Sequence, residues 1–69
     1  MTVEELVDIL SRQPPEAECF VFDEYATDTI RTVKVGQVMT LNWNGSPICI
    51  FARDDRVDYE PYGLKVQRP

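Results

Sequence analysis

Histidine is absent from this chain. That removes the usual general base near neutral pH, the usual partner of a nucleophilic serine or cysteine, and the commonest transition-metal ligand. Glycine is scarce, its three residues standing alone at 36, 45 and 63, so no glycine-rich loop is available to wrap a phosphate. Cysteine occurs twice, at Cys19 and Cys49, and two cysteines without histidine make neither a disulfide scaffold nor a structural zinc site. No apolar run approaches the ~20 residues of a membrane-spanning helix. The start of the sequence has neither the basic nor the apolar stretch of a secretory leader, which leads us to expect a cytosolic protein with reduced thiols.

Positive charge is also in short supply. Seven basic residues face twelve acidic ones, for a net charge of −5 and an isoelectric point near 4.4. Such a chain repels a phosphate backbone, so direct nucleic-acid binding is not expected. It is attracted instead to basic surfaces, including those of nucleic-acid-binding proteins, although acidity of this size also serves plain solubility. With 43% hydrophobic and 10% aromatic residues the chain is too apolar for a disordered tail. Its 69 residues suffice for one small domain, 1–69.

A helix is expected over residues 1–13. Thr2 and Glu5 have the T-x-x-E spacing of a capping box. Val3, Leu6, Val7 and Leu10 fall at i, i+3, i+4 and i+7, an apolar stripe with Ile9 at its border. Pro14 and Pro15 forbid continuation. Next, Cys19-Phe20-Val21-Phe22 is apolar at both parities and predicts a strand that is central or covered on both faces. Residues 23–28 predict a polar turn, and residues 29–35, β-branched and alternating, a further strand.

Asn44-Gly45 is the preferred pair for a type I′ hairpin, whose two central positions both need positive φ. A two-residue loop pairs Trp43 with Ser46, Leu41 with Ile48 and Met39 with Ile50, and puts Met39, Leu41, Ile48 and Ile50 on one face. Val38/Phe51, Thr40/Cys49 and Asn42/Pro47 share the other face. Pro47 cannot donate to a further strand, so its strand is expected to be a sheet edge near its start. Residues 53–69 form a charged turn and a C-terminal extension with a short strand near Leu64 to Val66. The expected architecture is α+β: one N-terminal helix on a three- to four-stranded antiparallel β-meander (19–52, with the extension), in order α-β-β-β-β. The helix stripe would pack on the face of Met39, Leu41, Ile48 and Ile50, with Trp43, Phe20 and Phe22 supplying much of the core area.

No catalytic residue and no cofactor is assigned, and the chain reads as non-enzymatic. Both cysteines lie in apolar β-patterned stretches and read as buried, inert thiols. Asp54, Asp55 and Asp58 are the one carboxylate cluster in a predicted loop, but Arg53 and Arg56 flank it, which favours a solvated charged turn over a metal site. The candidate partner-binding residues are acidic and aromatic. Glu4, Glu5 and Asp8 project opposite the helix stripe with no Lys or Arg among them. Asp54, Asp55, Asp58 and Glu60 add loop acids. Tyr59 and Tyr62 offer large contact area with a polar tip, or else close over the sheet.

The run from Thr2 to Phe22, with Glu5, Leu6, Leu10, Pro14-Pro15, Glu16-Ala17-Glu18 and the strand beginning at Cys19, resembles a known opening. It is similar to the helix–Pro-Pro–Asp-Ala-Glu–strand start of small proteins common in phages, prophages and bacterial mobile elements. Gln13, Glu16 and Cys19 depart from that pattern, where leucine, aspartate and valine are usual. The resemblance covers under a third of the chain, carries no catalytic residue, and implies an origin in the cytoplasm of a bacterial host. Many anti-CRISPR and related anti-defence proteins are similar in size and acidity, and some block a nucleic-acid-binding surface by mimicking DNA charge. An inhibitor of that kind, acting as monomer or homodimer on a basic host complex such as a Cas effector, is the expected function. The alternative is an accessory or structural interaction module with an unrelated partner.

Overall fold

Asn44 and Gly45 both take positive φ, 52° and 82°, and so close the expected type I′ turn. The turn joins two of the strands in a computed structural model that describes residues 1–22 and 34–69. In chain order the elements are α1 (Val3–Ser11), β1 (Glu18–Phe22), β2 (Gln37–Trp43), β3 (Ser46–Ala52), a 3₁₀ turn (Glu60–Tyr62) and β4 (Lys65–Gln67). β2 and β3 pair antiparallel from Trp43↔Ser46 to Gln37↔Ala52, with Leu41 opposite Ile48 and Met39 opposite Ile50. That is the register the hydrophobic pattern predicts. The expected turn at residues 23–28 and the strand expected from residue 29 lie outside the described residues, except that Lys34 and Val35 are not in a strand.

The fold is α+β, but its sheet is mixed, with strand order β1-β3-β2-β4. β4 pairs antiparallel with β2, and β1 runs parallel to β3 from Glu18↔Ile48 to Phe22↔Ala52. β3 is therefore flanked on both sides, and β1 begins to pair at Ile48, the residue after Pro47. The missing N–H of Pro47 coincides with the part of β3 that has no neighbour on that side. β1 itself is not the central or covered strand expected. Among the described residues it lies at the sheet edge, and all five of its residues are exposed. Its double apolar parity has another origin. Phe20 and Phe22 pair with Ile50 and Ala52, while Cys19 and Val21 pair with Cys49 and Phe51 on the opposite face.

The helix packs on the face opposite to the one expected. Ile9, Val38 and Cys49 form the buried cluster, with Met1, Leu6, Leu10, Val35 and Phe51 packed around it. The helix is also turned: Ile9 is wholly buried, whereas Val3 and Val7 are 81% and 59% exposed. The spacing i, i+3, i+4, i+7 is met by 3/6/7/10, all apolar, and also by 6/9/10/13, whose last position is Gln13 just beyond the helix. The two differ by a rotation of about 60° at 100° per residue. Polar contacts select the second. The Gln13 amide donates to the Ile9 carbonyl (3.1 Å) and to Gln67 Oε1 (3.3 Å), and Gln67 Nε2 donates to Thr40 Oγ1 (3.1 Å). Arg12 donates to the Arg68 carbonyl at the same end, and the Met1 ammonium donates to the Val35 carbonyl at the other (3.0 Å).

Among the described residues, the face of Met39, Leu41, Ile48 and Ile50 is covered toward the Gln37 end. There the buried Gln37 side chain donates from Nε2 to the carbonyls of Asp54 (2.6 Å) and Val57 (3.0 Å). Tyr59 stands edge-on to Phe22, ring centroids 5.8 Å apart. A Cβ at Gly36 would run into the Arg53 carbonyl, so this close crossing needs glycine. Met39 and Ala52 are buried beneath. Trp43, Phe20 and Phe22 were expected to fill the core, but they are 61%, 47% and 45% exposed.

The rotated helix makes a direct prediction. Ile9→Ala should cost about 2–4 kcal/mol, as for other buried large-to-small changes, and Val3→Ala no more than about 0.5 kcal/mol. Urea or thermal melts of the two variants decide it. Equal losses would mean that the stripe through Val3 faces the sheet.

Candidate functional site

Two backbone features bring the acidic residues into place. At the start of α1 the Thr2 hydroxyl accepts from the Glu5 N–H (3.2 Å), and Glu5 Oε1 accepts from the Thr2 N–H (3.0 Å). This is the capping box read from the sequence, and it holds the Glu5 side chain against the helix end. Beyond β3 the chain is pinned by Gln37 and then turns on its own carboxylates. Asp54 Oδ1 accepts from the Arg56 N–H (2.8 Å), and Asp58 Oδ1 accepts from the Glu60 N–H (3.0 Å).

As a result Glu5, Asp55, Asp58 and Glu60 line one open cleft of about 570 Å³, together with Met1, Gln37, Arg56 and Arg68. Helix and loop acids, separate in sequence, converge here. Glu4 and Asp8 do not join them. They line a shallow groove along the outer side of the helix with Thr2, Val7, Ser11 and Pro69, and Glu5 borders both depressions.

The remaining expected residues take other positions. Asp54 is engaged by Arg56, whose Nε lies 3.2 Å from Oδ1, and it does not line the cleft. Asp8 has a cation four residues on, Arg12 Nη2 at 3.6 Å from Oδ2. The helix acids are thus not the bare array that residues 4–8 suggest. Both partners of that pair are half exposed, so its contribution to stability is small. Tyr59 is half-buried against Phe22 and closes over the sheet, whereas Tyr62 is 78% exposed.

Sequence reasoning missed Gln37 and Arg68 as parts of this region, and read Arg56 only as a flank of the loop acids. A glutamine opening an apolar strand was the available sign for Gln37, because a buried amide needs partners. Reading both cysteines as buried also fails for Cys19, which is exposed, while Cys49 is buried. Placing β1 in the interior led to that error.

The electrostatics follow from these contacts. Hydrogen bonds from the backbone and hydroxyl of Thr2 hold the Glu5 carboxyl below the usual glutamate range. The side chain and then the backbone N–H of Arg56 lower Asp54. Burial raises the Cys49 thiol, and the neighbouring Cys19 raises it further. Among the described residues no group of three His, Cys, Asp or Glu is disposed to hold a metal ion, and no helix is long and apolar enough to cross a membrane. No family model, curated protein or solved structure matches the chain.

Carboxyls lowered in the native state contribute stability that is complete above their unfolded values and is lost as pH falls through the native ones. Melts from about pH 7 down to about pH 3 should therefore show declining stability, and Glu5→Ala should decline less steeply than the parent chain. Parallel curves would remove Glu5 from the acid dependence. Thr2→Ala, which deletes the hydroxyl acceptor, should cost about 1 kcal/mol at neutral pH.

Proposed function

We propose that this chain is a non-enzymatic binding module whose acidic cleft docks on a basic surface of a host protein complex, in the place a nucleic-acid backbone would occupy. The observation that carries this reading is the convergence of Glu5, Asp55, Asp58 and Glu60 on one cleft. Two of the four carboxylates are oriented by backbone N–H groups. Net charge of −5 supplies the long-range attraction and steers the encounter. The resemblance of residues 2–22 to phage and mobile-element proteins supports a more specific form, an anti-defence inhibitor of the anti-CRISPR type acting on a Cas effector. On that reading the protein competes with nucleic acid and does not itself bind it.

A second reading has its own observation. Trp43 and Phe20 are exposed on the sheet face away from the helix, beside the half-buried Leu41 and Ile48. Exposed aromatics over a sheet suit an accessory module that binds through apolar contact.

The test begins with capture of the partner from a bacterial host lysate, followed by affinity measurements at increasing salt and in competition with DNA. The charge reading expects affinity to fall steeply with salt, because exposed charges are screened beyond ~8 Å at physiological ionic strength. It also expects a loss on the order of tenfold or more when Glu5, Asp55, Asp58 and Glu60 become amides, and mutual exclusion with DNA. A partner that holds DNA and this protein together, with little salt dependence and loss of binding in Trp43→Ala, overturns it in favour of the sheet face.

A further inference from the structure

The parallel pairing of β1 with β3 sets Cys19 directly beside Cys49, a juxtaposition that follows from the mixed sheet. Paired positions point to the same face, and neighbouring strands lie about 4.7–4.9 Å apart. That spacing falls within the ~4.4–6.8 Å between Cα atoms that a disulfide spans. The two thiols differ sharply in access: Cys19 is exposed, and Cys49 is 1% exposed beneath the helix with Ile9 and Val38. We propose that Cys19 and Cys49 are a dithiol modification site, in which Cys19 reacts with a hydroperoxide and Cys49 resolves the product to an intramolecular disulfide joining β1 to β3.

The steps balance. The Cys19 sulfur attacks the peroxide O–O bond, taking one oxygen as sulfenic acid and releasing an alcohol, or water from hydrogen peroxide. The Cys49 sulfur then attacks the sulfenic sulfur, and the hydroxyl leaves with the thiol proton as water. Two thiols are oxidised and one peroxide is reduced. The roles follow from position. Cys49 is kept protonated by burial and shielded from solvent, so it is not the first to meet an oxidant. Cys19 sits on a strand that among the described residues pairs on one side only. The closed form ties down the edge that carries Phe20 and Phe22. None of this depends on the acidic cleft.

The experiment treats the reduced full chain with a small excess of hydrogen peroxide and follows free thiols, intact mass and peptide maps. Both thiols should disappear together, with a mass loss of two hydrogens and a Cys19–Cys49 linked peptide pair. The chain should remain a monomer on non-reducing gels, and dithiothreitol should restore it fully. In Cys49→Ala the reaction should stop at sulfenic acid on Cys19, trapped by dimedone as a single adduct. If that variant does not fold, the parent chain alone decides. Three results overturn the proposal. These are sulfinic acid on Cys19 with Cys49 still free for alkylation, a Cys19-linked dimer with Cys49 free, and persistence of both thiols under conditions that oxidise the urea-unfolded chain.

Discussion

The ladder between Gln37–Trp43 and Ser46–Ala52 places every other element of the fold. β1 is hydrogen-bonded to β3 and β4 to β2, and the two flanking strands do not touch each other. One face of the ladder presents Val38, Thr40 and Cys49 to the helix, and the other presents Met39 and Ala52 to the segment that follows β3. A slip of one residue would exchange these faces and remove Ile9 from its packing partners. Asn44 and Gly45 prevent that slip because their left-handed backbone fits only one register. Local turn chemistry thus determines which non-local contacts are available.

Elements whose information is local were legible in the sequence. The capping box, the helix end near the prolines and the hairpin register each follow from residues a few positions apart, and each stands as read. The short strand near Leu64 to Val66 also formed, one residue later than expected. Errors appeared where the deciding contact is distant. Apolar periodicity favours the stripe through Val3, which is apolar throughout, over the one through Ile9, which shares Leu6 and Leu10 but ends on Gln13; in the fold Gln13 meets Gln67 instead. Double apolar parity in Cys19-Phe20-Val21-Phe22 indicated burial, yet the strand is an edge. The acidic residues of the cleft were individually visible, but their convergence depends on Gln37 holding the loop from the opposite strand.

Coverage of the two sheet faces is unequal for a reason of size. A small chain has few elements with which to cover both faces of a four-stranded sheet. Here the single described α-helix takes one face, and an irregular segment held by Gln37 and Tyr59 takes part of the other. Fully buried hydrophobic residues among those described are Ile9, Val38, Met39, Cys49 and Ala52, a thin core in which each side chain matters. The part that the described residues leave open bears Trp43 and Phe20. β1, one of two edge strands among the described residues, carries one charge, Glu18, which discourages pairing with another chain.

The acids of the cleft have structural duties that bear on what they do at the surface. Glu5 completes the helix cap with one oxygen, and Asp58 spends one oxygen on the Glu60 N–H. In each case the contact orients the carboxylate and restricts its rotamers before any partner arrives. Ordering a flexible side chain costs about 0.5–1.5 kcal/mol on association, so a carboxylate fixed in advance retains more of its electrostatic gain. Asp54 shows the contrast. Both of its oxygens face Arg56, at 3.2 and 3.4 Å, and its charge is met within the loop. All three carboxylates accept from a backbone N–H, but Asp54 also meets the Arg56 guanidinium, which offsets its charge within the loop. This distinction separates Glu5 and Asp58 from Asp54, though all three were alike as candidates in the sequence.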